Sequence, residues 1–252
     1  MPEPKSAAMR TEIKLYLGRP HRTRKHVAAT LLVLRKFWRE SRRLDSDVWD
    51  NLSSYGSAAA KEAVNGSAIK GAFRDFALRL QHGRCCYCRC WLPATPYAMP
   101  IEHILPRNAY RRFSVDFWNL AVACVDCNLA KGSKAWTSIP AGTAGYPRRD
   151  AFPGMFHPRY HSYNEHVRFI VIETNGVSIA LYRGRTQQGN HLCLNLLDKI
   201  ASKRALLNNN PELQESLQDI DRYRAATGTI VAPALDAFAK TVDSRLMDLI
   251  RC

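Results

Sequence analysis

Two closely spaced cysteine pairs limit what this chain can fold into more than any other feature. Cys85 and Cys88 form one CxxC pair, Cys124 and Cys127 form a second, and 35 residues lie between them. A CxxC turn places two thiolates on one side, and two such turns complete a tetrahedral zinc site with four cysteine ligands. Four thiolates leave no open coordination position, so we expect a structural Zn²⁺ that ties the ends of this segment together.

Two further cysteines compete for the first half of this site. Cys86 and Cys90 are separated by three residues, which is also an acceptable spacing for zinc ligands. We favour Cys85 and Cys88, because the downstream pair has the same CxxC spacing. The choice between the two pairs stays open at the level of sequence.

The N-terminus carries no sign of export. Residues 1–17 are polar and lack a basic stretch followed by an apolar one. No apolar run approaches the roughly 18 residues that span a bilayer. We therefore expect a cytoplasmic protein with no membrane partner. Because thiols stay reduced in that compartment, the eight cysteines are not expected to form a disulfide framework, and Cys193 and Cys252 are interpreted as ordinary thiols.

Side chains suited to phosphodiester hydrolysis lie between and just after the cysteine pairs. The reaction needs an activated water, and the near-neutral pKa of a histidine such as His103 suits this task. A divalent cation can neutralise charge on the phosphorane and help the 3′ oxygen to leave. Glu102 and Asn128 offer the oxygen ligands that Mg²⁺ prefers. Because neighbours on a strand point to opposite faces, Glu102 and His103 can share a site only near a strand end or a bend.

The order of these motifs resembles the HNH endonuclease family in its version with zinc knuckles. The matching pattern is CxxC, EHI, P, WNL and CxxCNxxK. In that family a β-hairpin and a helix, the ββα-metal fold, hold one catalytic Mg²⁺ or Mn²⁺. The resemblance implies that His103 is the general base and that Asn119 braces the hairpin loop and helps to orient this base. It also implies that Glu102 and Asn128 bind the metal.

Two residues differ from the usual family pattern and point to a subgroup of the family. The acidic residue is usually aspartate, whereas Glu102 is longer by one methylene, and the third motif position is asparagine, Asn128, where some members have histidine. Both variants resemble HNH proteins of bacterial anti-phage systems, including Septu-type and retron-associated nucleases. This resemblance implies an ATPase or another defence-system subunit as partner. The family comparison also suggests phosphate contacts at Arg107 and Lys131.

The charge of the chain favours a polyanionic partner. The formal net charge is +15, and DNA is the polyanion that the family resemblance favours. Three alternatives remain open: an RNA-directed nuclease, a non-catalytic zinc-knuckle subunit that binds nucleic acid, and an assembly subunit that docks through a basic helix. Taken singly, His103 could be a core histidine, Asn119 a turn residue and Asn128 a helix N-cap. Their order between two zinc-spaced pairs favours the catalytic interpretation.

Periodicity and turn residues predict an α+β protein with three regions. Residues 1–82 form a basic helical region, with helices over 22–44 and 58–81 and an interruption near Asn65. Residues 83–136 form the zinc-tied HNH core. Residues 137–252 contain a wrapping loop, a β-hairpin from VRFIVIE and VSIALYR, and helices from 192 to 251. The three histidines in and after the loop are expected to have structural roles; they are His157, His161 and His166.

Overall fold

Helices and two small antiparallel sheets make up the part of the chain that the structure describes. The computed structural model describes Tyr16, residues 24–56, 65–92, 99–173 and 178–208, and the isolated positions 212, 215, 216, 219 and 241. The predicted α+β class is confirmed. The chain divides into two compact units, Met1–His161 and Ser162–Cys252.

Three helices precede the cysteine-rich segment: α1 (Arg24–Leu44), α2 (Trp49–Ser54) and α3 (Gly66–Leu80). Helix α3 begins where the sequence predicted an interruption, because the Asn65 side chain accepts a hydrogen bond from the Ala68 N–H at 2.7 Å. Helix α2 lies so close that a Cβ at Gly66 would be 1.5 Å from the Leu52 carbonyl oxygen, so this position requires glycine. The part of the predicted helix over 57–64 lies outside the described residues.

Two apolar clusters join these helices to the segment that follows. One cluster consists of Val33, Phe37, Val48, Leu52, Ile69 and Val115. The other consists of Tyr16, Phe73, Phe76, Ala77, Met99, Leu120 and Val122. Helix α3 contributes to both clusters, so it fixes the position of the sheet that carries the candidate site.

A short hairpin and a helix follow the first cysteine pair. Strand β1 (Ile101–His103) pairs antiparallel with β2 (Leu120–Val122), and helix α4 (Val125–Lys131) comes almost directly after β2. Residues 104–119 connect the strands through two 3-10 turns, Arg111–Phe113 and Phe117–Asn119. Because β1 ends at His103, the histidine lies at a strand end, as its proposed role required.

Residues 137–161 are largely irregular and belong to the first unit. Their one 3-10 turn is Arg149–Ala151. Aromatic side chains of this segment pack against the loop between β1 and β2: Tyr146 lies 5.3 Å from the Phe113 ring, and Tyr160 stacks on Trp118 at 5.5 Å. The segment therefore covers the loop that connects the two strands.

The second unit contains the predicted hairpin and short helices. Its elements are α5 (Tyr163–His166), β3 (Val167–Glu173), β4 (Ser178–Gly184), α6 (Gln187–Leu192), a π-helical stretch Cys193–Leu197 and α7 (Asp198–Asn208). Strands β3 and β4 pair antiparallel. Their predicted turn, and most of the helices predicted after residue 208, lie outside the described residues. Among the helices described, none has both the length and the apolar character needed to cross a membrane.

Candidate metal centre and active site

The four cysteines of the CxxC pairs come together in space. The Sγ atoms of Cys85, Cys88, Cys124 and Cys127 all lie within 4.8 Å of one another, and those of Cys88 and Cys124 are 3.7 Å apart. In a tetrahedral site with Zn–S bonds of about 2.3 Å, neighbouring sulfurs lie roughly 3.8 Å apart. The cluster could therefore hold a metal ion such as zinc, and Cys85 and Cys88 are the members of the first cysteine turn that belong to it. Among the described residues no second group of this kind is found.

Local backbone geometry explains why these thiols converge. Cys124 is the N-cap of α4, and its Sγ accepts a hydrogen bond from the Cys127 N–H at 3.4 Å. The Cys124 N–H in turn points to the Cys85 Sγ at 3.2 Å. Hydrogen bonds from the Cys124 and Cys127 thiols lower the pKa of Cys88 well below its ordinary value. This favours the thiolate form that zinc binds.

Cys86 and Cys90 have other roles. Cys86 is buried, and its backbone N–H donates to the Val122 carbonyl at 3.0 Å, which ties the first cysteine turn to β2. Burial raises the pKa of the Cys86 thiol well above its ordinary value, so the thiol stays protonated. The backbone carbonyl of Cys90 accepts from the Cys85 N–H at 2.9 Å and closes the turn.

A buried ion pair connects β1 to α4. The Glu102 Oε1 lies 2.6 Å from the Lys131 Nζ and accepts from the Tyr87 hydroxyl at 3.2 Å. Burial raises the pKa of Glu102, and the positive charge of Lys131 opposes this effect. The Lys131 ammonium, only 1% exposed, also donates to the His103 carbonyl at 2.9 Å. Lys131, predicted to contact phosphate, therefore places its charge beside Glu102 inside the protein.

His103 leaves β1 on the other side from Glu102 and is half-buried. Its Nε2 lies 2.9 Å from the Ser114 carbonyl oxygen, and because a carbonyl only accepts, Nε2 carries the proton and Nδ1 keeps a lone pair. The Trp49 ring packs edge-on at 4.6 Å. Burial, together with the nearby charges of Arg107 and other cations, lowers the pKa of His103 to about 3. The imidazole is therefore neutral near pH 7.

Asn119 holds the loop between β1 and β2 together. Its fully buried amide donates to the carbonyls of Leu105 at 2.9 Å and Phe113 at 3.0 Å, and it accepts from the Leu105 N–H at 2.7 Å. Leu105 is only two residues beyond His103, and Phe113 is one residue before Ser114, the hydrogen-bond partner of His103. Asn119 thus fixes the backbone on both sides of the imidazole.

A second layer of hydrogen bonds supports Asn119. The Tyr146 hydroxyl donates to the Asn119 Oδ1 at 3.3 Å and lies 2.7 Å from the His157 Nε2. Because the His157 Nδ1 accepts from the Arg159 N–H, its Nε2 carries the proton and donates to Tyr146. Tyr146 carries no signal in the sequence, since a tyrosine in an irregular loop has no characteristic spacing.

Replacing Asn119 with alanine should destabilise the first unit by about 3 to 5 kcal/mol, because three buried backbone groups would lose their partners. Urea unfolding would measure the change. The control is Asn108→Ala, since Asn108 is exposed and, among the described residues, its side chain bonds only to the adjacent Ala109 N–H. For this variant we expect a change within about 0.5 kcal/mol. Similar unfolding free energies for both variants would contradict the bracing role.

The two remaining predicted residues differ in their surroundings. Asn128 lies on α4 three residues before Lys131, so both face the same side of the helix. Its half-buried side chain makes no hydrogen bond with another described residue. The Arg107 Nη1 lies 2.9 Å from both the Asp47 and the Asp50 carboxylates. Hydrogen bonds therefore link Glu102, Lys131 and the backbone of His103. Asn128 lies near Lys131 on the same helix, whereas Arg107 is paired with two acidic residues in or just before α2.

Comparison with known proteins gives one partial match. The chain is 32% identical over 71 residues to the Septu protein PtuB of Bacillus thuringiensis. The match covers 27% of this chain and 28% of PtuB, so the chain spans little more than a quarter of the length of this relative. No family model matches the chain, and no solved structure matches it significantly.

Proposed function

We propose that this protein is a metal-dependent endonuclease of the HNH kind that hydrolyses phosphodiester bonds in DNA as part of an anti-phage defence system. The observation that carries the proposal is the neutral imidazole of His103 at the end of β1. Its Nε2 is held by the Ser114 carbonyl, which leaves Nδ1 as an acceptor. Asn119 braces the surrounding loop. The four-thiol cluster joins the two ends of the segment from Cys85 to Cys127.

Glu102 and Asn128 would hold a Mg²⁺ or Mn²⁺ ion. Because Glu102 and His103 leave β1 on opposite sides, this ion and the imidazole would meet beyond the end of the strand at His103. Both offer oxygen atoms, which these hard cations prefer, and the Asn128 amide is not engaged with another described residue. When bound, the ion would neutralise negative charge on the phosphorane and help the 3′ oxygen to leave. Burial raises the pKa of Glu102, and the Lys131 ammonium at 2.6 Å opposes this rise and so favours the carboxylate form that a cation needs.

His103 would act as the general base. Its Nδ1 takes a proton from water as the water oxygen attacks phosphorus, and the P–O bond to the 3′ oxygen breaks. The 3′ oxygen takes a proton from solvent, and the products carry 5′-phosphate and 3′-hydroxyl ends. The negative charge of a bound phosphodiester raises the pKa of the imidazole, so the base is stronger when substrate is present.

The choice of DNA and of a defence role has two supports. The net charge of +15 favours a polyanion. The partial match to a Septu protein supports a defence role, with an ATPase or another defence-system subunit as partner. RNA remains the alternative substrate, because a one-metal site does not itself distinguish the two nucleic acids.

A second candidate function is a non-catalytic zinc-knuckle subunit that binds nucleic acid. The ion pair between Glu102 and Lys131 favours it, since a carboxylate neutralised by an ammonium attracts a divalent cation less strongly. In that case the protein would bind nucleic acid through its basic surface and leave cleavage to a partner.

Matched DNA and RNA substrates distinguish these functions. Zinc-loaded protein is incubated with each substrate in Mg²⁺ or Mn²⁺, alone and with the products of adjacent genes, and the ends of the products are determined. We expect DNA cleavage that leaves 5′-phosphates, its loss in Glu102→Gln, and its retention in the control Asp150→Asn, which changes an exposed carboxylate. Binding without cleavage in every condition would support the second candidate, and cleavage of RNA alone would reassign the substrate.

A further inference from the structure

Two cationic side chains lie beside His103 in addition to the buried Lys131. The Lys70 Nζ lies 3.6 Å from the centroid of the Trp49 ring, and the His103 ring lies 4.6 Å from the same ring. Arg107 is four residues beyond His103. Its guanidinium pairs with Asp47 and Asp50, which lie on either side of Trp49 in the chain. Both cations are half-buried, so part of each side chain faces solvent.

Both cations are held by residues of α2 and the turn before it. Arg107 is shared between the carboxylates of Asp47 and Asp50, at 2.9 Å each. Lys70 donates to the Trp49 carbonyl at 2.9 Å and to the Ser53 hydroxyl. The two cations and the two carboxylates cancel in charge, so in this arrangement the group offers a polyanion no net attraction.

The contacts of Arg107 differ in how easily they can be broken. The Asp50 side chain is 77% exposed, and an ion pair so exposed is weak and is screened by salt. Asp47 is more firmly held, because its other carboxylate oxygen accepts from the Trp49 N–H at 3.0 Å. An incoming phosphate can therefore replace Asp50 while Asp47 keeps the start of α2 in place. A guanidinium binds phosphate as readily as carboxylate, through two parallel hydrogen bonds.

We propose that Lys70 and Arg107 form a phosphate-binding site for the DNA backbone beside His103, and that Asp50 occupies this site in the free protein. The proposal rests on the proposed function, because it places the bound phosphates next to the imidazole that would act on them. It gives Asp50 an autoinhibitory role: its carboxylate must leave Arg107 before the DNA backbone can bind there.

The test measures binding without cleavage. Fluorescence anisotropy of a labelled DNA duplex is followed over a series of salt concentrations, with no Mg²⁺ or Mn²⁺ added. We expect the dissociation constant of Asp50→Asn for DNA to be about 5-fold lower than that of wild type, because a change of this size corresponds to one exposed charge interaction. The logarithm of the association constant should fall more steeply with the logarithm of the salt concentration, by about 1 in slope, which corresponds to one additional phosphate contact. Adding Lys70→Gln to Asp50→Asn should remove this gain.

The control is Asp150→Asn, which raises the net charge equally at an exposed carboxylate that has no ion pair among the described residues. Equal affinities and slopes for Asp50→Asn and Asp150→Asn would overturn the proposal while leaving the nuclease function intact. If neither wild type nor Asp50→Asn binds DNA while both are folded and zinc-loaded, the proposed function and the binding site fail together. A gain in Asp50→Asn that Lys70→Gln does not reduce would remove Lys70 from the site.

Discussion

Replacing Cys127 with serine should abolish zinc binding and unfold most of residues 85–132. Cys127 is fully buried, and its thiol is one of four that meet within 4.8 Å. A serine hydroxyl does not ionise near pH 7, so the site would lose one anionic ligand. The hairpin that the cluster supports has only three residues in each strand, and a sheet of this size is not stable by itself. Structural zinc contributes about 10 to 16 kcal/mol to folding in small zinc domains.

Zinc content by elemental analysis and helix content by circular dichroism measure this effect. The matched control is Cys90→Ser, since the Cys90 thiol contacts those of Cys88 and Cys124 but is not one of the four that meet within 4.8 Å. We expect one zinc per chain in wild type and in Cys90→Ser, and none in Cys127→Ser. A Cys127→Ser variant that keeps both its zinc and the thermal stability of wild type would contradict a zinc site built from these four cysteines.

Changing His103 to alanine should lower the rate of DNA cleavage by about 100- to 10,000-fold, the usual contribution of a general base. The loss should appear in the rate, with zinc content and melting temperature close to those of wild type. This is expected because His103 is half-buried and, within the part of the chain that the structure describes, its side chain makes one hydrogen bond, to the Ser114 carbonyl.

Nicking of a supercoiled plasmid measures the rate. The control is His82→Asn, because His82 is exposed and its φ of 55° is one that asparagine also tolerates. His82→Asn is expected to nick like wild type. Equal nicking by His103→Ala and wild type would exclude His103 as the base.

Local patterns allowed several features to be predicted from sequence. The two halves of the four-thiol cluster follow from CxxC spacing, because each pair is fixed by its own turn. The start of α3 follows from Asn65 and Gly66, which cap the helix and allow the close approach of α2. The strands β3 and β4 follow from alternation of apolar residues on both sides of an Asn-Gly turn. Each of these depends on residues near one another in the chain.

The contacts around the candidate site could not be predicted in this way. Lys131 pairs with Glu102 across 29 positions, and Arg107 pairs with Asp47 across 60. The support of Asn119 by Tyr146 depends on how an irregular loop packs. A charged residue has many possible partners of opposite sign, and burial decides among them only after the chain has folded. For this reason Lys131 was predicted from sequence to contact phosphate, whereas its ammonium is buried against Glu102.

Locating Mn²⁺ in crystals of the zinc-loaded protein by anomalous diffraction tests the proposed catalytic centre most directly. We expect one zinc peak among the sulfurs of the four-thiol cluster and one manganese peak bounded by the Glu102 carboxylate and the Asn128 amide oxygen. The manganese peak should be absent in Asn128→Ala. A fully soaked crystal with no manganese between Glu102 and Asn128, or with manganese bound only elsewhere, would contradict the proposed catalytic centre.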